Sequence, residues 1–329
     1  MSALPALGSL KDAAAVVRVA GSLSARTFLV TGASSGFGLA CATALAAGGG
    51  TVVLACRPGR KADAAAAAVR AAAPAPAAVH LIPLDLASPP SVRAAAAAFR
   101  GLPLPRGGAL DALVLNAGVL GQRFGSGAPG VEPTLATNLL GHALLHALLA
   151  PALDAAGEGA RVAVTASNSH YRVVGPLDWA AALPPRDNGG DVHAAYAFSN
   201  LCRVAWARGL ARRAAYPVVS FHPACAADTA MAQHMSALDV ARVLWLVARW
   251  ELRGFLEGQT AATGARTQTW LAVAPRGELP PTGAYLSGNA TDGPLGRPVA
   301  PSALAASEEA VEKVMAYVDA FVERERAGV

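Results

Sequence analysis

Eight residues, Thr31-Gly32-Ala33-Ser34-Ser35-Gly36-Phe37-Gly38, have the types and spacing to hold a phosphate. An apolar run, Thr27 to Val30, leads into them, and Leu39 to Ala47 leaves with helical spacing. Strand, glycine turn and helix in that order make an anion site, because the free N–H groups of a helix's first turn face whatever lies in front of them. Gly32 lets the backbone reverse, Gly36 lets it approach a pyrophosphate, and Gly38 lets the helix sit close to the strand. Ser34, Ser35 and Phe37 complete the turn. The second apolar run ends at Ala55-Cys56-Arg57. An acid near Cys56 would hold a ribose 2′-hydroxyl. None is present, and Arg57 follows, with Arg60 and Lys61 nearby. A guanidinium binds a 2′-phosphate bidentately and a carboxylate repels it, so these residues favour NADP(H). Asp85 and Leu86 follow the third run; the carboxylate either caps the next turn or orients the adenine side of the cofactor. Asn116-Ala117-Gly118 ends the fourth run. Its small residues let backbone approach the cofactor, and the Asn116 amide can tie strand ends together.

These residues need a frame that brings strand ends together. Apolar runs alternate with helical stretches along the chain, which predicts an α/β fold: a single doubly wound, Rossmann-type parallel sheet of about seven strands with helices on both faces. The strands are expected at Thr27-Val30, Thr51-Ala55, Val79-Leu84, Ala112-Asn116, Arg161-Thr165, Val218-Phe221 and Ala284-Leu286. Leu139, Ala143, Leu144 and Leu148 carry the helical spacing of the segments between them. Gly121-Gly130 and Pro184-Gly190 read as loops. Residues 1–25 form a lead-in, and 26–329 a single NADP-binding domain with a lid-like insertion at 230–262 and a closing helix at 302–326. Ser307 with Glu308 and Glu309 starts that helix. Val311, Val314, Met315, Val318, Phe321 and Val322 make its apolar stripe.

Composition excludes several classes. The 329 residues are 53% hydrophobic and only 15% charged, which excludes a disordered chain. The net charge of +5 comes from arginine, since Lys11, Lys61 and Lys313 are the only lysines. No basic run with interleaved aromatics appears, so no nucleic acid partner is expected. Cys41, Cys56, Cys202 and Cys225 form no CxxC pair, so neither a metal site nor a disulfide framework is expected. An intracellular reducing compartment follows, plastid or cytoplasm, with no clear targeting peptide. The oligomeric state is left open.

Taken in order, these motifs resemble the short-chain dehydrogenase/reductase family over about Arg26 to Asn289. The resemblance rests on Thr31-Gly38, Asp85, Asn116-Gly118, Asn138 within Thr137-Asn138-Leu139-Leu140-Gly141-His142, Ser167 after the fifth strand, Tyr196 within Tyr196-Ala197-Phe198-Ser199, and His222-Pro223 after the sixth. It implies a catalytic set of Asn138, Ser167, Tyr196 and the residue at 200. In it the tyrosine donates or accepts a proton, the serine positions the substrate oxygen, and the asparagine holds a water in the relay. It adds Pro223, Thr229, Tyr196 and position 200 to the cofactor-binding residues.

Within the family the chain is similar to the light-dependent protochlorophyllide oxidoreductases and to the retinol dehydrogenases. Ala55-Cys56-Arg57, Leu84-Asp85-Leu86-Ala87-Ser88, Pro223-Ala224-Cys225-Ala226-Ala227-Asp228-Thr229, Cys202 and the Ser307-Ala310 helix start resemble the first. Gly264 to Pro275 and Thr282-Gly283-Ala284-Tyr285 resemble the second. The implied substrate is a hydrophobic small molecule, a carbonyl/alcohol or a conjugated double bond.

The chain departs from the family at position 200, where Asn200 replaces the lysine expected four residues after the tyrosine. That lysine binds the nicotinamide ribose and its charge lowers the tyrosine pKa. Asparagine can bond a hydroxyl but carries no charge. Arg203, seven residues after Tyr196, shares its stripe and is a candidate source of the missing charge, although an arginine there reads first as a helix-surface residue. Ala224 is a milder departure from the family's glycine. Two function classes follow: an active reductase, or a non-catalytic relative serving as a scaffold or subunit of a larger complex. Between the sixth and last strands, Val240, Val243, Leu244, Val247 and Trp250 form a stripe flanked by Arg242, Arg249 and Arg253. A lid over an apolar substrate, attachment to a membrane surface and core packing all fit it.

Overall fold

Strands covered on both faces read as unbroken apolar runs, and the sheet bears this out. In the computed structural model, which describes residues 10–75, 78–120, 131–183, 191–223, 260–288 and 298–327, eight strands join into one sheet. They are β1 (Thr27–Thr31), β2 (Thr51–Cys56), β3 (Val79–Pro83), β4 (Ala112–Leu115), β5 (Arg161–Thr165), β6 (Val218–His222), β7 (Tyr285–Ser287) and β8 (Pro298–Val299). Their order is β3-β2-β1-β4-β5-β6-β7-β8. Every residue of β1, β2, β4, β5, β6 and β7 is buried.

The first seven strands run parallel. The seven expected strands are joined at the edge by β8, which pairs antiparallel with β7. It is two residues long and begins with proline, so it carries no periodicity that a sequence could show.

Eight longer helices cover the faces. They are α1 (Ala13–Ala20), α2 (Gly36–Ala47), α3 (Arg60–Ala72), α4 (Pro89–Arg100), α5 (Gly141–Ala156), α6 (Val192–Ala211), α7 (Arg266–Val273) and α8 (Glu308–Ala327). Buried residues of α1, α2, α3 and α7 form one core on one side of the sheet. Those of α4, α5, α6 and α8 form the other. Along β1, Leu29 belongs to the second core and its neighbours Phe28 and Val30 to the first, as the twofold repeat of a strand requires. Caps set several helix starts. The Asp12 carboxylate accepts from Ala15 N at 2.8 Å, and Ser88 precedes a helix that opens on Pro89. Ser307 Oγ accepts from Ala310 N at 3.2 Å, where the sequence places the start of the last helix. The stripe of that helix is buried from Val311 to Phe321.

The chain reverses its winding at β1, which lies between β2 and β4. At such a switch point the loops after the two strands diverge and leave a crevice at the carboxyl ends. The glycine turn leaves β1 there, and Asn116-Gly118 leaves β4. At the opposite edge the buried Asp111 carboxylate accepts from Thr27 N at 2.7 Å and pairs with Arg106.

Candidate active site

The glycine turn has the backbone its sequence demands. Gly32 and Gly36 sit at φ of 66° and 55°, a region that side-chain-bearing residues avoid. A Cβ at Gly38 would lie 2.5 Å from Asn116 Nδ2 and 2.6 Å from Gly32 O, so only glycine fits. Gly36 opens α2, and Ser35 precedes it without capping it. Asn116 Nδ2 donates to Thr31 O at 2.9 Å, tying the ends of β1 and β4 together. From the far end of the chain, Gln268 Nε2 donates to Phe37 O at 2.7 Å, and a Cβ at Gly264 would collide with the Phe37 ring.

Cys56 is buried at the end of β2, its thiol pushed up by burial and bonded to Ser34. Arg57 beyond it is exposed. Asp85 is half-buried and accepts from Ala87 N at 3.0 Å, so its carboxylate closes its own loop. Leu86 and Pro223 are buried. Thr229, the stripe of Val240 to Trp250 and the loops at 121–130 and 184–190 lie outside the described residues.

The second half of the site is a network of buried polar side chains. Asn138 sits in a π-helical turn, Ala136–Leu140, immediately before α5. Such widened turns push a side chain out of the helix's regular path. Asn138 Oδ1 accepts from Val119 N at 2.8 Å. Its Nδ2 donates to Val119 O at 3.1 Å and to Ser199 Oγ at 3.0 Å. Ser199 Oγ in turn donates to Tyr196 O at 2.8 Å. The Asn138 carbonyl accepts from His142 Nδ1 at 3.0 Å. That fixes the ring's tautomer, so Nε2 accepts from Thr31 Oγ1 at 2.9 Å. Burial, with the Arg203 cation adding to it, pushes His142 down to about 3, so it is a neutral strut.

Ser167, half-buried after β5, accepts at Oγ from Ser169 N at 3.2 Å. Its proton is left for another acceptor. The short turn it caps, Asn168–Arg172, packs on α6. Tyr196 lies half-buried on α6.

Asn200 is fully buried, and its Nδ2 donates to Tyr196 O at 2.9 Å while its Oδ1 has no partner. Arg203 corrects the surface reading, for it is only 2% exposed. Its Nη2 donates to Leu115 O at 3.2 Å and to Ala117 O at 3.1 Å. The reason lies in the helix itself: every residue from Ser199 to Ala207 is buried, so no face at this level is open to water. Arg203 and His142 were not among the catalytic or cofactor-binding residues expected from sequence, and Thr31 entered there only as the first residue of the glycine turn.

A nicotinamide dinucleotide fits what is present. The turn leads straight into the N-terminus of α2 with glycine at its first position, and the orphaned Asn200 Oδ1 is a buried acceptor able to take a hydroxyl proton. The short chain dehydrogenase profile matches residues 26–182. A polyprenol dehydrogenase of Mus musculus is 36% identical over 285 residues, 82% of this chain and 78% of its own. The chain belongs to the short-chain dehydrogenase family. Retinol dehydrogenase 13 of Homo sapiens is 30% identical over 290 residues, 82% of each chain, which agrees with a retinol dehydrogenase-like branch of that family. Among solved short-chain dehydrogenase folds, an uncharacterized protein from Mycobacterium paratuberculosis superposes with a TM-score of 0.67 at 26% identity. The match covers 92% of this chain and 95% of that one.

Proposed function

We propose that the protein is an NADP(H)-dependent oxidoreductase that interconverts a long apolar alcohol, retinoid- or polyprenol-like, and its carbonyl. The observation that carries this is the convergence on Gly118 of groups from β4, the π-helical turn and α6. A Cβ there would lie 3.5 Å from Arg203 Nη1 and 3.6 Å from Asn138 Oδ1. When bound, the nicotinamide supplies or takes the hydride. The Tyr196 phenolate takes the proton of the substrate hydroxyl on oxidation, and the phenol returns it to the carbonyl oxygen on reduction. Ser167 turns its free hydroxyl proton to the substrate oxygen. Asn138 spends its carboxamide on Val119 and Ser199, and so holds α6 at a fixed distance from the β4 end. Arg57, exposed after β2, takes the 2′-phosphate. The relatives named for polyprenol and retinol support an apolar ligand.

The test is NADPH and NADH oxidation with a panel of retinal, a polyprenal and protochlorophyllide under light. Turnover of an apolar carbonyl with NADPH supports the proposal. Turnover of none of them by a folded protein that binds NADPH favours the second reading, a non-catalytic scaffold, for which the neutral Asn200 is the specific observation. Turnover of protochlorophyllide alone shifts the substrate to a conjugated double bond.

A further inference from the structure

Arg203 is a cation taken out of water with no carboxylate to meet it among the described residues. Such a group is costly, and it is held here by the carbonyl dipoles of Leu115 and Ala117, with Nε left without a partner. A structural role would be served by a neutral donor at lower cost. Side chains on a helix lean toward its N-terminus, so Arg203 covers the turn that carries Asn200 and approaches Tyr196 two turns earlier. Asn200 leaves the space between them without charge, because its amide turns back to the Tyr196 carbonyl.

We propose that Arg203 supplies the positive charge that stabilises the Tyr196 phenolate, in place of the lysine the family carries at position 200. This deepens the oxidoreductase reading and rests on it for its catalytic meaning. Arg203 is a positioning residue in this role, since it acts on the reaction through Tyr196. Burial pushes the guanidinium down to about 10, and attraction to Tyr196 raises it, so it remains a cation at neutral pH. A cation within about 4–6 Å lowers an acid's pKa by roughly 1–3 units. A lysine added beside Arg203 would put two cations one turn apart in a dry helix, so Asn200 and Arg203 form a matched pair.

Other groups that could titrate nearby belong to the elements packed on α6. His142, in the first turn of α5, and His170, after β5, are both neutral above pH 5, pushed down to about 3 and about 4 by burial. Arg172 and the β6 residue His222 also lie on these neighbours, as does Glu132 ahead of the π-helical turn. Glu308 and Asp319 of α8 are engaged by Arg212 and Arg213 at the far end of the helix.

The experiment is the titration of Tyr196 by carbon-13 NMR of labelled tyrosine in the full chain, with Tyr196→Phe identifying the signal and His222→Gln as a control for its neighbour. Parent, Arg203→Lys, Arg203→Met and the double variant Arg203→Met with Asn200→Lys are compared. The expected result is a parent midpoint below the free-phenol value of about 10. Arg203→Met should raise it by one unit or more, Arg203→Lys should keep it near the parent, and the double variant should bring it back down. A parent midpoint at or above that of free tyrosine overturns the proposal even if Arg203→Met does not fold. So does an Arg203→Met midpoint within a few tenths of the parent. The pH profile of alcohol oxidation separates the two readings. A parent that turns over nothing yet shows the shifts sinks the enzyme and keeps the charge. An active parent whose Tyr196 ignores Arg203 does the reverse.

Discussion

The glycine turn at Thr31–Gly38 and the helix face at Tyr196–Arg203 border the same end of the sheet and are made by different means. The turn is local. Eight consecutive residues set its shape, and backbone N–H groups are what it would offer an anion. The helix face is assembled from Val119, Asn138, Ser199 and Arg203, which meet only after the chain has folded. Most of its polar groups are buried and satisfy one another, with Asn200 Oδ1 and Arg203 Nε as the exceptions. A backbone site tolerates almost any side chain that stays out of its way. A buried polar network tolerates almost none, because each lost partner strands another group.

Predictions follow this contrast, beginning with the largest effect. Tyr196→Phe should lower turnover by about 10²–10⁴-fold, the usual worth of a positioned proton donor, while NADPH affinity measured by calorimetry stays the same. Loss of both together would mean that the phenol belongs to the cofactor side rather than to the chemistry.

The helix-face side of the sheet should also be the acid-sensitive one. His142, His146 and His170 are buried and held at about 3, 4 and 4, against 6.5 when unfolded. The folded chain therefore binds fewer protons than the unfolded chain between these values. The stability these rings contribute is fully present above pH 6.5 and is lost as the pH falls toward 4. With three groups the slope reaches about 4 kcal/mol per pH unit. Urea unfolding at pH 7.5, 6 and 5 measures it, and a flat midpoint over that range would contradict the burial of these rings.

Arg57→Ala should weaken NADP(H) by about 1.5–3 kcal/mol and leave NAD(H) nearly unchanged, the scale of a hydrogen bond to a charged group. Equal weakening of both cofactors would remove Arg57 from the 2′-phosphate. Gly38→Ala should cost about 1–3 kcal/mol of stability through overpacking against Asn116 and Gly32, read by thermal melting. A neutral outcome would mean that the β1–α2 joint yields more easily than the close approach implies.

The same contrast explains what the sequence could tell. The seven parallel strands were legible because burial on both faces leaves unbroken runs such as Phe28-Leu29-Val30 and Val52-Val53-Leu54. Their ends shift by a residue, as at β7, since hydrogen bonding and hydropathy stop at different places. The turn was legible because it is written in consecutive residues. Arg203 was misread because arginine is usually exposed. The signal that could have found it was the helix around it, where Leu201, Cys202, Val204, Ala205 and Trp206 leave no polar face. His142 carried no signal of its role, for although Asn138 lies one helical turn before it, its other partner, Thr31, is 111 residues away and meets it through tertiary structure alone.

The contact between Phe37 and the segment at Gly264–Gln268 has a consequence for the chain as it is made. The glycine turn leaves the ribosome ahead of Gln268, which bonds the Phe37 carbonyl and lies 231 residues further on. At ~5–20 residues per second, the turn waits on the order of tens of seconds for its seat. During that interval the nascent chain holds the strand and helix of a nucleotide site that nothing yet backs. The turn therefore gains the contact that backs it only after the segment at Gly264–Gln268 has been synthesised.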